Sequence, residues 1–247
     1  MASSQKNKPV SELRQDPVTG NWIVVAKARG ERPSLAKKVN EEQEDPIETC
    51  PFEDPRASGN EEPVLVYKDP AKSPDGDRGA SWSLQVIQNK YPAFAEGECN
   101  LITKIGPYSV RDGTGFHEVI ITRHHTKHLA LLSQDKIKEV FSAYKERYLV
   151  LKDMECVKYI SIFHNHGRKA GASLTHPHSQ LIAIPISPPG ARRSLIGATA
   201  FYKKHGKCVH CAMLDWDKKD KKRIVVENID FIAICPFISR GAYEVRI

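Results

Sequence analysis

The stretch HNHGRKAGASLTHPHSQLIAIP, from His164 to Pro185, constrains the fold more than any other part of the chain. Proline lacks a backbone N–H and clashes inside a helix, so His176-Pro177-His178 reads as extended backbone. In an extended chain, residues two apart share a face, so the imidazoles of His176 and His178 project together and the Gln180 amide follows them. The apolar run that comes next marks a strand entering the interior. Upstream, GRKAGASL is a loop of small residues around Gly171, whose backbone amides can approach a phosphate closely. Imidazole serves as a metal ligand, an acid/base or a nucleophile toward phosphorus. Isolated histidines are usually loop or edge-strand residues. His164, His166, His176 and His178 within 15 residues, beside a small-residue loop, point instead to a site for phosphate chemistry.

The rest of the chain supplies alternating apolar segments and two helices. NWIVVAKAR, PVLVYK, WSLQVIQN, FHEVIITR, VKYISIFHN, RIVVEN, FIAICPF and the terminal YEVRI read as strands. Val39 to Glu48 and Asp69 to Arg78 read as loops. Ser133 is placed to cap a helix on which Ile137, Val140, Phe141, Tyr144, Tyr148 and Leu151 recur at helical spacing. ARRSLIGATAFYKKHGK forms the second helix. Strands, helix, strands, helix, strands is the order of an α+β fold, with helices laid on a largely antiparallel sheet. The chain is expected to stop inside a domain, since GAYEVRI ends in the middle of an alternating strand.

Composition narrows the function. The net charge of +7 arises from 37 basic and 30 acidic residues, with much of the excess in DKKDKKR (Asp217 to Arg223). Such a balance attracts anions, and a phosphorylated small molecule fits as well as a polynucleotide. The basic residues are not interleaved with stacking aromatics, which argues against a nucleic-acid binder. No run is long and apolar enough for a membrane helix, and MASSQKNKPV lacks the apolar stretch of a secretory signal, so a cytoplasmic enzyme is expected. A disulfide framework is then not expected. Cys208-Val-His-Cys211 has the spacing of a metal knuckle, while Cys99, Cys156 and Cys235 read as packed residues.

Read together, NHGRKAGASLTHPHSQ, the opening ELRQDPVTGNWIVVAKARGERP and WSLQVIQNKYPAF (Trp82 to Phe94) resemble the galactose-1-phosphate uridylyltransferase family, within the histidine-triad superfamily. The likeness runs from about Glu12 to Ile247. It implies a histidine-triad-like first repeat with the active site over residues 1–188, and an incomplete second repeat over 189–247. In the family, the second histidine of His-Pro-His attacks the α-phosphorus of a nucleotide sugar and carries the nucleotide to a second sugar 1-phosphate. That position is His178. Gln180 matches a donor to the phosphoryl oxygens. The plain hydrolases of the superfamily place a third histidine there. An amide cannot protonate the leaving group, so Gln180 favours a covalent intermediate that awaits an acceptor. Ser173 and Asn165 match phosphate-site or supporting positions, along with Gly171 in the loop between them. Asn89 matches a nucleotide contact, and Arg29 and Arg32 match basic residues near the diphosphate.

The same resemblance implies a structural zinc held by a Cys-x-x-Cys pair, a histidine after the EVII strand and the first histidine of His-Pro-His. Those positions are Cys50, Glu53, His125 and His176, with Glu53 standing where the second cysteine belongs. A carboxylate oxygen is an acceptable zinc ligand. His124 and His128 are neighbours that could replace His125. Cys208 and Cys211 match half of a second metal site, with His205 and His210 close in sequence. The implied reaction is uridylyl transfer from UDP-glucose to galactose 1-phosphate. The alternative is an ADP-glucose phosphorylase-like enzyme using the same histidine. The expected partners are a nucleotide sugar and a sugar 1-phosphate, and family members are commonly homodimers.

Overall fold

A computed structural model of the chain describes residues 11–15, 22–26, 44–69, 82–99, 102–237 and 243–247. It has two compact units, Met1–Ser187 and Pro188–Ile247. The first is built on a five-stranded sheet of β3 (Leu65–Lys68), β4 (Trp82–Gln88), β7 (Phe116–Thr122), β8 (Tyr159–His164) and β9 (His178–Ile184). Its order is β3-β4-β7-β9-β8, with every neighbouring pair antiparallel. A second, four-stranded sheet joins β1 (Ser11–Gln15), β2 (Trp22–Ala26), β5 (Ile102–Ile105) and β6 (Tyr108–Asp112) in the order β2-β1-β6-β5. The α+β class and the largely antiparallel sheet are as expected. Three strands, β1, β5 and β6, escape the sequence pattern: SELRQ, ITKI and YSVRD are short and carry few apolar residues; β5 and β6 pair as a local hairpin, and β1 joins the distant β6.

One face of the five-stranded sheet is covered by α1 (Gln134–Leu151). Leu84, Val86, Ile120, Leu181 and Ala183 from the strands pack with Val140, Ala143 and Leu151 from the helix. Ser133 caps α1 as expected, its side chain accepting from the Lys136 N–H at 3.4 Å. Phe141 and Tyr148, assigned to the buried stripe by spacing, are exposed. The helix presents a narrower face than its apolar residues allow, and Ala143 fills the close approach to the sheet. Arg147 reaches from the helix to Glu118 on β7, donating from Nε at 2.9 Å and from an Nη at 2.6 Å. This pair is almost fully buried, and its two-point geometry satisfies both oxygens of the carboxylate.

The cysteine assignments need correction. Cys99 and Cys156 form a disulfide, with Cα atoms 5.4 Å apart and a sequence separation of 57. It joins the segment after β4 to the segment after α1, a proximity that no local pattern reveals. Cys235 is exposed and does not pack in a core.

The second unit contains α2 (Pro189–His205), α3 (Val209–Asp220) and a hairpin of β10 (Ile224–Glu227) with β11 (Ile232–Ile234). Helix α2 begins two residues earlier than the ARRSL pattern predicts, because Pro189 stands at its first position, where the missing N–H costs nothing. Helix α3 was hidden behind the metal-knuckle reading of CVHC. The terminal YEVRI is not a strand; Arg246 makes only an isolated bridge to Ile234. Among the described residues no helix is long and apolar enough to cross a membrane.

Candidate active site and metal centre

The site lies on the sheet face opposite α1, where Cys50, Phe52, Ile87, Val119 and Ile121 form a second apolar cluster. His178 is the first residue of β9, and it pairs with Ile121 of β7. Strand alternation puts its ring on this face, buried and edge-on to Phe52 with centroids 5.1 Å apart. Nδ1 of His178 lies 2.9 Å from the backbone oxygen of His176. A carbonyl oxygen only accepts, so Nδ1 carries the proton and the lone pair is on Nε2. The acceptor sits two residues away because Pro177 holds the chain extended and turns the His176 carbonyl back toward the ring.

Gln180 follows on the same face, its Oε1 2.9 Å from Nε2 of His117. The loop before His176 runs through a short 3-10 turn, Arg168–Ala170, bounded by Gly167 at φ +77° and Gly171 at φ +86°. Both angles lie in the left-handed region that glycine tolerates. A Cβ at Gly171 would come within 3.8 Å of the Asn165 amide nitrogen, so the loop brings these two expected phosphate-site residues together. Ser173 sits half-buried on the way to His176. Asn89 is partly committed to its own turn: Oδ1 accepts the Tyr91 N–H at 2.9 Å and Nδ2 lies 3.1 Å from His117 Nε2. Arg29 and Arg32 lie outside the described residues.

Asp45 clamps the loop, although the sequence gives it no motif. Its carboxylate accepts from the Arg168 guanidinium at 2.9 Å and from the Thr175 N–H at 2.8 Å, and its own N–H donates to the Thr175 hydroxyl. On the far side of β9, Tyr144 and Ser179 share a short hydroxyl contact, and Ser179 Oγ lies 3.1 Å from His164 Nδ1. Burial lowers the pKa of His164, with the neighbouring histidines His178, His166 and His128 adding to the effect. His166 packs against His128, with ring centroids 4.4 Å apart and planes tilted by 42°.

Cys50, Glu53, His125 and His176, the last of them two residues before His178, each offer one ligand atom, and these atoms all lie within 4.8 Å of one another. His124 and His128 are not in this group. The hydrogen bonds of the two imidazoles test whether a cation fits. His125 Nε2 is 2.8 Å from the Asp45 carbonyl, and His176 Nε2 is 2.9 Å from the Thr122 carbonyl. Each Nε2 therefore holds a proton, and in the neutral ring each Nδ1 is a lone pair. Burial pushes the His176 pKa down to about 4, so this ring is neutral at pH 7. His125 Nδ1 lies 2.9 Å and His176 Nδ1 3.3 Å from Glu53 Oε1, and Cys50 Sγ is 3.5 Å from His176 Nδ1. Two imidazole lone pairs, a carboxylate oxygen and a sulfur thus converge, which is the donor set of a tetrahedral divalent-metal site. Burial raises the Cys50 thiol pKa, and a bound cation would reverse that effect. The second oxygen of Glu53 accepts from Arg123 at 3.0 Å, which orients the carboxylate from outside.

In the second unit, Cys208 is the N-cap residue of α3 and Cys211 lies in its first turn, both exposed. Backbone hydrogen bonds from Cys211 and His210 lower the Cys208 pKa, whereas the side-chain hydrogen bond with Cys208 raises that of Cys211. Among the described residues no third histidine, cysteine or carboxylate completes a metal group with them.

Residues 2–188 match the family model for the galactose-1-phosphate uridyl transferase N-terminal domain. The chain belongs to that family. It is 32% identical over 246 residues to an ADP-glucose phosphorylase of Arabidopsis thaliana, covering 96% of this chain and 65% of that protein. It is 29% identical over 238 residues to a galactose-1-phosphate uridylyltransferase of Thermotoga maritima, with the same coverage of 96% and 65%. Among solved structures, a uridylyltransferase superposes with a TM-score of 0.70 at 28% identity, over 95% of this chain and 64% of that one. The crystal structure of an ADP-glucose phosphorylase from Arabidopsis thaliana with bound ADP-glucose superposes with a TM-score of 0.59 at 29% identity, over 93% and 64%. The chain therefore spans a little under two thirds of the length of its relatives.

Within this galactose-1-phosphate uridyl transferase domain, two contributors were missed from the sequence. Asp45 acts through backbone and loop contacts that leave no spacing signature. His117 does leave one: in FHEVIIT it falls in phase with Val119 and Ile121, on the face that carries His178 and Gln180.

Proposed function

We propose that the protein is a nucleotidyltransferase that acts through a covalent nucleotidyl-His178. The observation that carries this reading is the 2.9 Å hydrogen bond from His178 Nδ1–H to the His176 carbonyl, which leaves the Nε2 lone pair for attack. Nε2 attacks the α-phosphorus of a nucleoside diphosphate sugar. An N–P bond forms, and the P–O bond to the sugar 1-phosphate breaks. The Nδ1 proton stays on the ring, where the His176 carbonyl stabilises the positive charge that develops. A second phosphate oxygen, from the acceptor, then attacks the same phosphorus and displaces the imidazole. Gln180 donates its amide N–H to the phosphoryl oxygens, and the loop amides around Gly171 and Ser173, with Asn165, hold the diphosphate.

Cys50, Glu53, His125 and His176 hold zinc in this reading. The metal fastens the segment before β3 and the end of β7 to the start of β9, and so orients the strand that carries His178. Two substrate pairs remain in view. Uridylyl transfer from UDP-glucose to galactose 1-phosphate follows the family's name. Adenylyl transfer from ADP-glucose to inorganic phosphate is favoured by the 32% identity to the Arabidopsis phosphorylase, against 29% to the Thermotoga uridylyltransferase. Intact-protein mass spectrometry after mixing with either nucleotide sugar separates them, because the uridylyl and adenylyl adducts differ in mass. An adduct mapped to His178 is expected; an adduct on another residue, or on none, overturns the reading.

A further inference from the structure

We propose that His117 is a positioning residue that fixes which end of the Gln180 amide faces the reacting phosphate; the catalytic purpose of this contact rests on the nucleotidyl-transfer reading above. His117 lies on β7 and is 4% exposed. The Ala93 N–H donates to its Nδ1 at 3.0 Å. A backbone N–H cannot accept, so Nδ1 carries no proton. An imidazolium would set N–H against N–H there, and a ring accepting at both nitrogens would be an imidazolate, which has no place at neutral pH. His117 is therefore neutral with its proton on Nε2.

Among the described residues, two side chains meet that nitrogen. Asn89 brings Nδ2 to 3.1 Å, but its oxygen is already turned to the Tyr91 N–H, so it offers only hydrogens. Gln180 brings Oε1 to 2.9 Å and can accept. The proton on Nε2 accordingly selects the oxygen of Gln180. An amide has only two ends, so its NH2 is turned away from His117. Gln180 and His178 alternate on one face of β9, and that NH2 is the end available to the phosphoryl group on His178. A flipped Gln180 would present oxygen to phosphoryl oxygen and repel what it should stabilise. The chain of contacts starts at the turn Asn89–Ala93, which is the segment matched to nucleotide binding. The nucleotide-side turn thereby sets the polarity of the phosphate-side donor through one buried imidazole.

The test uses two isosteric replacements in the intact chain. His117→Asn keeps an oxygen where Nδ1 accepts from Ala93 and does not reach Gln180. His117→Gln carries an amide N–H to the position of Nε2. With whichever nucleotide sugar labels the wild type, His117→Asn is expected to slow adduct formation by about 10²-fold, as for loss of one oxyanion donor. Its substrate dissociation constant should change much less. His117→Gln should recover most of the lost rate. Gln180→Ala should add little to His117→Asn, since both remove the same donor. If both His117 variants lose rate in step with their melting temperatures, the role is structural and the proposal fails. It also fails if the losses from His117→Asn and Gln180→Ala multiply. A second readout is free of any activity: long-range ¹⁵N–¹H correlation of the wild-type imidazoles should give His117 as the Nε2–H tautomer. An Nδ1–H tautomer overturns the proposal even in an active enzyme. An Nε2–H tautomer in a wild-type protein that forms no adduct overturns the nucleotidyl-transfer reading and the catalytic half of this inference, and leaves the orientation of Gln180 standing.

Discussion

Gln180 and Leu181 are neighbours on β9 and point to opposite faces of one sheet. Leu181 is fully buried beneath α1 among Leu84, Ile120 and Val140. Gln180 faces His117, on the side that carries His178 and the Cys50, Glu53, His125, His176 group. The helix-covered face is filled mainly by apolar side chains, and a buried ion pair there, Arg147 with Glu118, is closed on itself by two hydrogen bonds. The other face is held by directional contacts to backbone carbonyls at Asp45, Thr122 and His176. Packing is tolerant of orientation, whereas those bonds fix which ring nitrogen is protonated. The difference teaches that the strands supply stability from one side and protonation states from the other.

The largest separation of the two faces is expected from His178→Gly. The adduct formed with a nucleotide sugar should vanish, since the substitution removes the attacking Nε2. The ring packs on Phe52, so its removal also opens a small void and lowers the melting temperature modestly. Adduct persisting at wild-type rate, measured by intact mass, would break the assignment of this face to chemistry. Leu181→Ala should do the reverse. Loss of about 2–5 kcal/mol in denaturant unfolding is expected from a fully buried leucine, with the adduct still formed by the molecules that remain folded.

The next effect tests whether the polar face depends on its metal. Glu53→Ala removes a ligand and also the partner of Arg123. Loss of an outer partner of a metal site alone costs about 10–100-fold in affinity, and removal of a ligand should cost at least that. Zinc content after dialysis against a chelator is the measurement. Glu53→Cys should retain more zinc than the wild type, because a thiolate is the softer ligand. If neither change alters zinc content or melting temperature, the four residues form a hydrogen-bonded cluster and not a metal centre.

How much of this could be read from the sequence follows the same division. The extended His-Pro-His, its alternation with Gln180 and the cap at Ser133 are local facts, and local sequence carries them. The choice of His125 over His124 and His128 came from resemblance, and the structure places that residue beside Cys50, Glu53 and His176. The strands β1, β5 and β6 were invisible because segments of four or five residues with few apolar side chains carry too little alternation to mark a strand. The Cys99–Cys156 bond was missed because its ends are 57 positions apart in sequence. Phe141 and Tyr148 misled in the opposite sense. Their spacing fits a buried stripe, yet the contact made by Ala143 determines which side of α1 meets the sheet.

The smallest expected effect asks how well the two faces are insulated. Ser133→Ala removes the side chain that accepts the Lys136 N–H at the start of α1. Such a cap contributes about 0.5–2 kcal/mol, so the melting temperature should fall slightly. On its own side of the sheet, helix α1 approaches the end of β8 through a polar route: Tyr144 to Ser179, and Ser179 to His164. Ser133 is 11 residues from Tyr144, about three turns along the helix, and fraying of the first turn should not reach it. Adduct rate and zinc content are therefore expected to stay at the wild-type values while stability drops. If the rate falls as well, the Tyr144–Ser179–His164 contacts transmit helix position to the histidines around His178. Tyr144→Phe, which keeps the ring and deletes the hydroxyl, should then reproduce the loss of rate without the loss of cap stability.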